Sequence, residues 1–308
     1  MAAAKKRSSV SPAAKRLRAL FSWMFGSGRT AIVLILLVAL FVGGAWWGWR
    51  EFRDRILAAR EYRIDPEQVE VTPQPPWIPQ SDVRAEVFRS PTLDGRLSLL
   101  DDDLTRRIAD AFARHPWVAK VGPVTKKYGG VKVELVYRKP VCMVELPGGG
   151  LVPVDVEAVL LPTEAGDITP TEAARYPRLS GVDRGPTGPA GTRWGDARVI
   201  GGAEIAAALD DKWEPMRLDH IEPSAADAAA SNPSDVGRVA EPVFTLVTHR
   251  GTRIVWGYAP GANAVGELSA AEKVARLQRY FEAKDTLDGP EGKAQQLNVH
   301  DLPPAVRP

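Results

Sequence analysis

The length, composition and charge of the chain exclude several broad classes of protein. Its 308 residues are enough for about two domains, and a formal net charge of +2 gives no general signal for binding a polyanion. The single cysteine, Cys142, excludes an intramolecular disulfide, and 27 glycines with 26 prolines favour turns and strands over a helical bundle.

The N-terminal region has the pattern of a membrane anchor. Residues 1–30 contain seven Lys and Arg residues and no Asp or Glu, whereas residues 31–49 carry no charge over 19 positions. As a helix, that stretch is about 28 Å long, close to the roughly 30 Å hydrocarbon core of a bilayer. Trp46, Trp47 and Trp49 lie at its C-terminal end, where aromatic rings favour the membrane–water interface. We predict a transmembrane helix at 31–49, a basic cytoplasmic tail at 1–30, and the remaining chain on the other side of the membrane.

A cleaved signal peptide is the alternative interpretation of this region. Gly43 and Ala45 are small residues at plausible cleavage positions. However, the apolar stretch exceeds the usual length of about 7–15 residues, and the basic segment before it is long. We therefore expect an uncleaved anchor, and we interpret the basic residues as a topology signal and not as a nucleic-acid contact.

The first part of the outer region predicts a small α/β domain over residues 66–140. The predicted elements are a juxtamembrane helix and linker at 50–65, a strand at 68–72, a helix at 81–88, a helix from Ser98 to His115, and strands beginning at 117 and 131. Ser98 and Asp101 fit a capping box at the start of the second helix, and Pro116 ends it. The order β-α-α-β-β predicts a three-stranded sheet with helices on one face.

Residues 141–301 predict a second, mainly antiparallel β domain with flanking helices. The strand-like runs are 141–146, 150–155, 158–161, 217–221, 243–248 and 252–258, and the helical runs are 198–209 and 271–281. Residues 222–240 are rich in Ala, Ser, Asp and Pro and predict a flexible loop, and residues 302–308 predict a loose tail. The predicted fold class is therefore α+β, with a single transmembrane helix before two outer domains.

The sequence predicts no catalytic, cofactor or metal site. The four histidines, which are His115, His220, His249 and His300, have no His or Cys partner at a short ligand spacing. Cys142 lies in an apolar run and is interpreted as a small buried residue. The acidic run 101–103 suits the positive end of a helix dipole better than a metal ion. Because no nucleophile-elbow, Walker or dinucleotide motif occurs either, we predict a protein that is not an enzyme.

A series of short motifs, in a shared order, resembles the FtsQ/DivIB family of cell-division proteins. The motifs are His115-Pro116-Trp117-Val118, Arg138-Lys139-Pro140-Val141, Leu151-Val152-Pro153-Val154-Asp155, Tyr176 to Gly181, Ile254 to Gly257, and Gln296 to His300. The first two resemble the POTRA domain of that family, and together the motifs cover about residues 66–308. The chain departs from the family pattern at Tyr137, at Gly129-Gly130, at Glu157-Ala158 and at Leu297 to His300, and so resembles a divergent member.

The resemblance implies a bitopic protein of the cell inner (cytoplasmic) membrane that takes part in the cell cycle at the division septum. Its POTRA domain, at 66–140, and its FtsQ-like β domain, at 141–301, would stand outside the membrane. They would recruit or link other division proteins, notably the small coiled-coil pair FtsB and FtsL. No cofactor, nucleic acid or small-molecule substrate is implied.

The resemblance also implies a docking position, because in that family a partner adds a strand to an exposed edge near the C-terminus. The matching residues here are Leu297, Asn298, Val299 and His300. Strand addition is physically reasonable, since main-chain groups provide affinity and alternate side chains provide choice. The alternative is that 296–300 is an interior strand.

Two other functions compete with a division scaffold. A POTRA-type polypeptide-binding protein of envelope assembly or secretion normally has several POTRA units or a membrane barrel, and neither is evident in the sequence. An anchored envelope enzyme would need a convergent set of acid, base or nucleophile, which the sequence does not show.

Overall fold

The computed structural model describes residues 28–57, 64–78, 82–93, 97–163, 170–224, 241–262 and 264–304. The chain divides into two compact units, Met1–Ile64 with Arg96–Asp101, and Asp65–Gly95 with Asp102–Pro308. The predicted basic tail at 1–30 lies almost wholly outside the described residues, as does most of the predicted loop at 222–240.

The first unit is dominated by the apolar helix α1, Gly28–Leu57. Within it, Ala31–Phe52 is long and apolar enough to cross a membrane, and none of its hydrophobic window is buried in the structure. Trp46, Trp47 and Trp49 are each 63–68% exposed. The predicted helix at 31–49 is confirmed, and it continues into the first part of the predicted juxtamembrane segment. Length and composition alone fit both an anchor and a signal sequence.

The second unit begins with a three-stranded sheet and two helices. Its elements are β1 Val69–Val71, α2 Val83–Arg89, α3 Leu104–Ala113, β2 Val118–Lys127 and β3 Gly130–Tyr137. The strand order is β1-β3-β2, with β1 parallel and β2 antiparallel to the central β3. The predicted β-α-α-β-β order is therefore confirmed.

Periodicity explains why the helices cover one face of this sheet. On α3, Leu104, Ile108 and Phe112 recur every four residues and are fully buried. On β3, Val131 and Val133 are buried in the same layer, while Lys132 between them lies on the other face. The small core is thus formed by one helical stripe and one face of the sheet.

The start of α3 differs from the prediction. The helix begins at Leu104 with Asp103 at its N-cap, not at Ser98. Ser98 and Asp101 instead close a separate turn, in which the Ser98 amide donates to Asp101 Oδ2 at 3.2 Å and the Leu100 amide donates to Ser98 Oγ at 3.3 Å. Ser98 and Asp101 therefore do bond to the main chain as predicted, but they form a turn that precedes the helix. Leu100 lies in this turn and is 43% exposed.

The rest of the second unit contains a seven-stranded sheet with three helices. Its strands are β4 Cys142–Glu145, β5 Leu151–Val154, β6 Arg178–Leu179, β7 Leu218–Ser224, β8 Val243–Thr248, β9 Arg253–Tyr258 and β10 Gln296–Asn298. The helices are α4 Pro170–Ala173, α5 Ala197–Ala208 and α6 Ala270–Lys284. The strand order is β10-β9-β8-β7-β6-β4-β5. The α+β prediction is confirmed.

The pairing within this sheet is more mixed than the sequence predicted. The longer pairings, β4 with β5, β7 with β8 and β8 with β9, are antiparallel. The pairings of β4 with β6, β6 with β7, and β9 with β10 are parallel and join only two or three residues each. Parallel neighbours require a crossover, and α5 and α6 supply it for the last two pairings.

Three local predictions for this region need correction. Residues 158–161 form only isolated bridges, from Leu160 to Val154 and from Val159 to Arg193, and not a strand. The predicted loop at 222–240 begins too early, because β7 extends to Ser224. The predicted loose tail at 302–308 is wrong for its described part, since Leu302 is 7% exposed and packs in the core.

A pair of glycines lets α5 lie close to the sheet. A Cβ atom on Gly201 would lie 2.5 Å from the Phe244 ring, and one on Gly202 would lie 2.7 Å from the Leu179 side chain. Both strand residues are fully buried. Gly201 and Gly202 are therefore required by the close packing of the helix on the sheet.

Candidate docking edge and its supports

The edges of the two sheets differ in how well they are protected against a further strand. An unprotected edge offers unpaired amide and carbonyl groups, and proteins blunt such edges with proline, lysine and bulges. β2, at one edge of the small sheet, contains Pro123 and three lysines. Its register also shifts between Val118 and Lys120 and between Val121 and Val124. This edge is poorly suited to accept a partner strand.

The outer sides of β1 and β5 are partly occupied by the chain itself. Arg84 Nη1 donates to the Val69 carbonyl of β1 at 3.4 Å. On β5, the Pro153 carbonyl accepts the Leu161 amide at 3.0 Å, and the proline itself has no amide to offer. Both edges are therefore less available than their position at the end of a sheet suggests.

β10 is the remaining edge of the described sheets, and its hydrogen bonds to β9 show which of its residues face outward. The Arg253 amide donates to the Gln295 carbonyl at 2.9 Å. In a parallel pair with this phase, Leu297 bonds toward β9, and the amide and carbonyl groups of Gln296 and Asn298 face away from it. Within the described part of the chain, no hydrogen bond reaches the outward groups of Gln296, whereas the Asn298 carbonyl, at the N-cap of the 3-10 turn Val299–Asp301, accepts the first bond of that turn. β10 thus offers the amide and carbonyl of Gln296 and the amide of Asn298 at its outer edge.

The four residues predicted to bind a partner do not form one strand. Leu297 packs against the core and Asn298 is half-buried, both within β10. Val299 is fully buried and begins a 3-10 turn, Val299–Asp301. The turn forms because Asn298 Oδ1 accepts the His300 amide at 3.0 Å, which takes the chain out of the ladder. The assignment of Val299 and His300 to the edge strand is therefore wrong, while Leu297 and Asn298 do lie on it.

α6 carries a row of three cations, Lys273, Arg276 and Arg279, and the last two of them hold the segment after β10. These residues are spaced by three and lie on one side of the helix. Arg276 Nη1 donates to the carbonyls of His300 at 2.6 Å and Leu302 at 3.1 Å. Arg279 Nη1 donates to the Pro304 carbonyl at 2.6 Å. The described part of the C-terminal tail is thus fixed against α6 by charged donors.

Lys273, the first member of the row, is buried. Its Nζ donates to the Tyr258 carbonyl at 2.9 Å, lies 5.0 Å from the centre of the Trp256 ring, and forms an ion pair with Glu267. Burial lowers the pKa of Lys273, although Glu267 opposes that effect. Glu267 Oε1 also lies 3.4 Å from His300 Nε2. The end of β9, α6 and the turn after β10 are therefore joined in one polar network.

The predicted POTRA signature residues meet at a joint between the two sheets. His115 Nε2 lies 3.0 Å from Glu86 Oε2 on α2, and the Trp117 carbonyl accepts the Arg138 amide at 2.9 Å. Val118 and Pro140 are buried, and Pro116 packs beside Gly191, where a Cβ atom would lie 3.3 Å from its Cα. The main-chain bond between Trp117 and Arg138 thus places the first four signature residues beside the fifth, while Pro140 is buried two residues further along the chain.

Arg138 links this joint to the larger sheet. Its Nη1 donates to Asp155 Oδ2 at 2.5 Å and to Glu157 Oε2 at 2.9 Å. The side chains of Arg138 and Asp155 are only 14% and 5% exposed. Burial by itself lowers the pKa of Arg138, but the bonds to the two carboxylates have the larger, opposite effect. The pKa is therefore raised, and the guanidinium stays charged. The geometry is that of a structural ion pair.

The larger sheet carries a second polar cluster, on β6, β7 and β9. His220 lies between two carboxylates, with Nδ1 2.7 Å from Asp219 Oδ2 and Nε2 2.9 Å from Glu222 Oε1. Arg178 and Arg253 donate to the same two carboxylates at 3.1 and 2.5 Å. Asp219 is therefore paired with a cation on the neighbouring strand β6, and Glu222 is paired with one on β9, on the far side of β8. Both pairs stabilise this face of the sheet.

Comparison with known proteins identifies the type of protein. No protein-family model matches the chain. The cell division protein FtsQ of Anaeromyxobacter sp. (strain K) is 28% identical to it over 266 residues, which cover 83% of this chain and 73% of that protein. The chain is an FtsQ-type protein. The homology suggests a cell-division protein with partners among other division proteins, and the FtsQ family is non-enzymatic.

Two observations concern the reactive side chains of the described residues of this FtsQ-type chain. Burial raises the pKa of the Cys142 thiol to about 12, so it is a poor nucleophile at neutral pH. Within the described ranges, no three His, Cys, Asp or Glu residues lie close enough to hold a metal ion. The polar side chains of this FtsQ-type chain instead bond to each other and to the main chain.

The residues that support the candidate docking edge were missed from the sequence. Lys273, Arg276 and Arg279 have the spacing of three that places residues on one helix face. That pattern ordinarily indicates a solvated surface, and nothing local indicates that carbonyl groups 24–26 residues away cover it. The signal was present, but its partners are remote in the sequence.

Proposed function

We propose that this FtsQ-type chain is a membrane-anchored, non-enzymatic scaffold that recruits or links division proteins at the septum. Its N-terminus would lie in the cytoplasm and residues after the anchor outside the membrane, because the seven basic residues of 1–30 favour the cytoplasmic side. The outer part would comprise a POTRA domain at 66–140 and a β domain at 141–301. Trp46, Trp47 and Trp49 would mark the membrane interface.

The observation that carries this proposal is the free edge at β10. Gln296 and Asn298 direct their main-chain groups away from β9, so an extended segment could continue the sheet there. Main-chain bonds would provide affinity, and the half-buried Leu297 and Asn298 would contribute to partner choice. The expected partners are small coiled-coil membrane proteins of the FtsB and FtsL type. No nucleic acid or small-molecule substrate forms part of the proposed function.

The alternative of a general POTRA-type polypeptide-binding protein has less support. That function needs an edge of the small sheet that accepts extended chains. In this chain β2 contains Pro123 and two register shifts, and the outer carbonyl of Val69 on β1 already accepts Arg84. Both features oppose strand addition at the POTRA domain.

The edge assignment is tested by two substitutions at one residue. Gln296→Pro removes an outward amide and leaves the ladder to β9 in place, since Gln296 is exposed and begins the strand. Gln296→Ala, the matched control, keeps the amide and removes only the side chain. We expect the proline variant to lose its FtsB-like partner in co-purification and to lose septal enrichment of a fluorescent fusion, while the alanine variant keeps both.

The opposite result would refute the proposal. If Gln296→Pro binds the partner and localises as the unsubstituted protein does, the docking edge lies elsewhere. Uniform distribution of the unsubstituted fusion around the envelope, with normal division after depletion, would remove the scaffold function itself.

A further inference from the structure

We infer that Arg276 is a positioning residue that holds the β10 edge in the form that a partner strand can join. This inference rests on the proposed docking function and says which residue keeps the docking edge in place. The docking edge would be formed in advance by α6, and would not be ordered by the partner on binding.

The edge strand is too short to hold itself. β10 has three residues, and each makes contact with only one neighbouring strand, β9. Short strands of this kind are marginal without tertiary contacts. Whatever fixes the two ends of β10 therefore decides whether its outward main-chain groups stay aligned for a partner.

The start of β10 is fixed by Gln295. Its carbonyl accepts the Arg253 amide, and its amide donates to Thr252 Oγ1 at 3.2 Å. Its side-chain Nε2 also donates to the Leu287 carbonyl at 2.8 Å and lies 3.1 Å from the Tyr280 hydroxyl. The main chain and the side chain of one residue thus anchor the N-terminal end of the strand.

The other end is fixed by Arg276. Val299 is fully buried, and the two carbonyls that follow it at His300 and Leu302 both accept from Arg276 Nη1. A charged donor makes stronger bonds than a neutral one, and Arg276 closes the turn from the side of α6. In its absence, the Asn298 side chain, the burial of Val299 and Leu302, and the contact of His300 with Glu267 would remain to oppose separation of the strand from β9 at its C-terminal end. Among the described contacts, Arg276 makes the two charged hydrogen bonds to the main chain of this turn.

Arg279 supplies a matched control on the same helix. It also donates to a main-chain carbonyl from Nη1, but that carbonyl belongs to Pro304, two residues beyond Leu302. If α6 acts on the edge through Arg276, removing the Arg279 donor should leave β10 unchanged. If instead any loss of charge on α6 matters, the two substitutions should have equal effects.

The test combines hydrogen exchange with binding, using the full chain in detergent micelles. Arg276→Met removes the donors and keeps an unbranched side chain, whereas Arg276→Lys keeps the charge but lacks the planar fork. In Arg276→Met, we expect about ten-fold faster exchange in the peptide covering 295–302, and exchange unchanged in β7 and β8. The exchange rate of this peptide in Arg276→Lys should lie between those of Arg276→Met and the unsubstituted protein. In Arg279→Met, the rate should equal that of the unsubstituted protein.

Binding is measured with the purified extracytoplasmic segment of the FtsB-like protein of the same cell. Arg276→Met should weaken it about ten-fold, and Arg279→Met should not change it. Unchanged exchange at 295–302, or unchanged binding despite faster exchange, would overturn the positioning role. If Arg276→Met unfolds globally, Arg276→Lys decides by the same two readouts. Failure of the proposed function is recognised separately, because Gln296→Pro would then bind normally.

Discussion

The ion pair between Arg138 and Asp155 should contribute substantially to the stability of the second unit. Replacing Arg138 by Met leaves a carboxylate that is 5% exposed without its cation. Removing one partner of a buried pair costs about 3–5 kcal/mol. Here Asp155 keeps the amides of Glu157 at 3.0 Å and Val159 at 2.8 Å, which reduces the loss. We therefore expect about 2–3 kcal/mol less free energy of unfolding.

The same joint offers a control for that measurement. Glu157 also accepts from Arg138, but its side chain is 65% exposed, and exposed pairs contribute about 0–1 kcal/mol. Glu157→Gln should therefore change the free energy of unfolding by less than about 0.5 kcal/mol. Urea unfolding followed by tryptophan fluorescence measures both variants. A value for Arg138→Met within about 0.5 kcal/mol of the unsubstituted protein would refute the stabilising role of the pair.

Two further predictions concern packing and pH. Gly202→Ala should lower the free energy of unfolding in urea by about 1–3 kcal/mol, because its Cβ would lie 2.7 Å from Leu179. Gly185→Ala is the control and should be near neutral, because its Cβ would have nothing within 4 Å. Equal effects of the two substitutions would contradict the close packing of α5. Burial raises the pKa of Asp219, but the His220 hydrogen bond and nearby cations outweigh it and hold the pKa below its usual value. The stabilisation from Asp219 is therefore complete above about pH 4 and lost as the pH falls further, so Asp219→Asn should flatten the acid limb of a stability–pH curve, and an unchanged limb would argue against the pairing.

Local periodicity was sufficient to predict the elements of the small sheet, the helices that cover it and the apolar helix. Leu104, Ile108 and Phe112 mark the buried face of α3, and Val131 and Val133 mark the buried face of β3, because helices and strands repeat with different periods. Each signal lies within about ten residues of sequence, where no remote contact is needed to read it.

The candidate site was only half predictable, because its second half depends on contacts that are remote in the sequence. The run Gln296 to His300 has the composition of a strand, but Asn298 captures the His300 amide and ends the strand. That choice depends on burial of Val299 and on Arg276, which is 24 residues away from His300. Mixed strand direction was equally hidden, because parallel pairing is decided by crossovers and not by the pattern within a strand.

The most direct test of the docking edge is site-specific photo-crosslinking in living cells. A photoreactive amino acid at Gln296 lies on the β10 edge, and one at Leu151, which is 39% exposed, lies on β5 at the opposite edge of the same sheet. We predict a crosslink from position 296 to a small coiled-coil division protein and none to it from position 151. No crosslink from 296, or equal crosslinks from both positions, would contradict docking at β10.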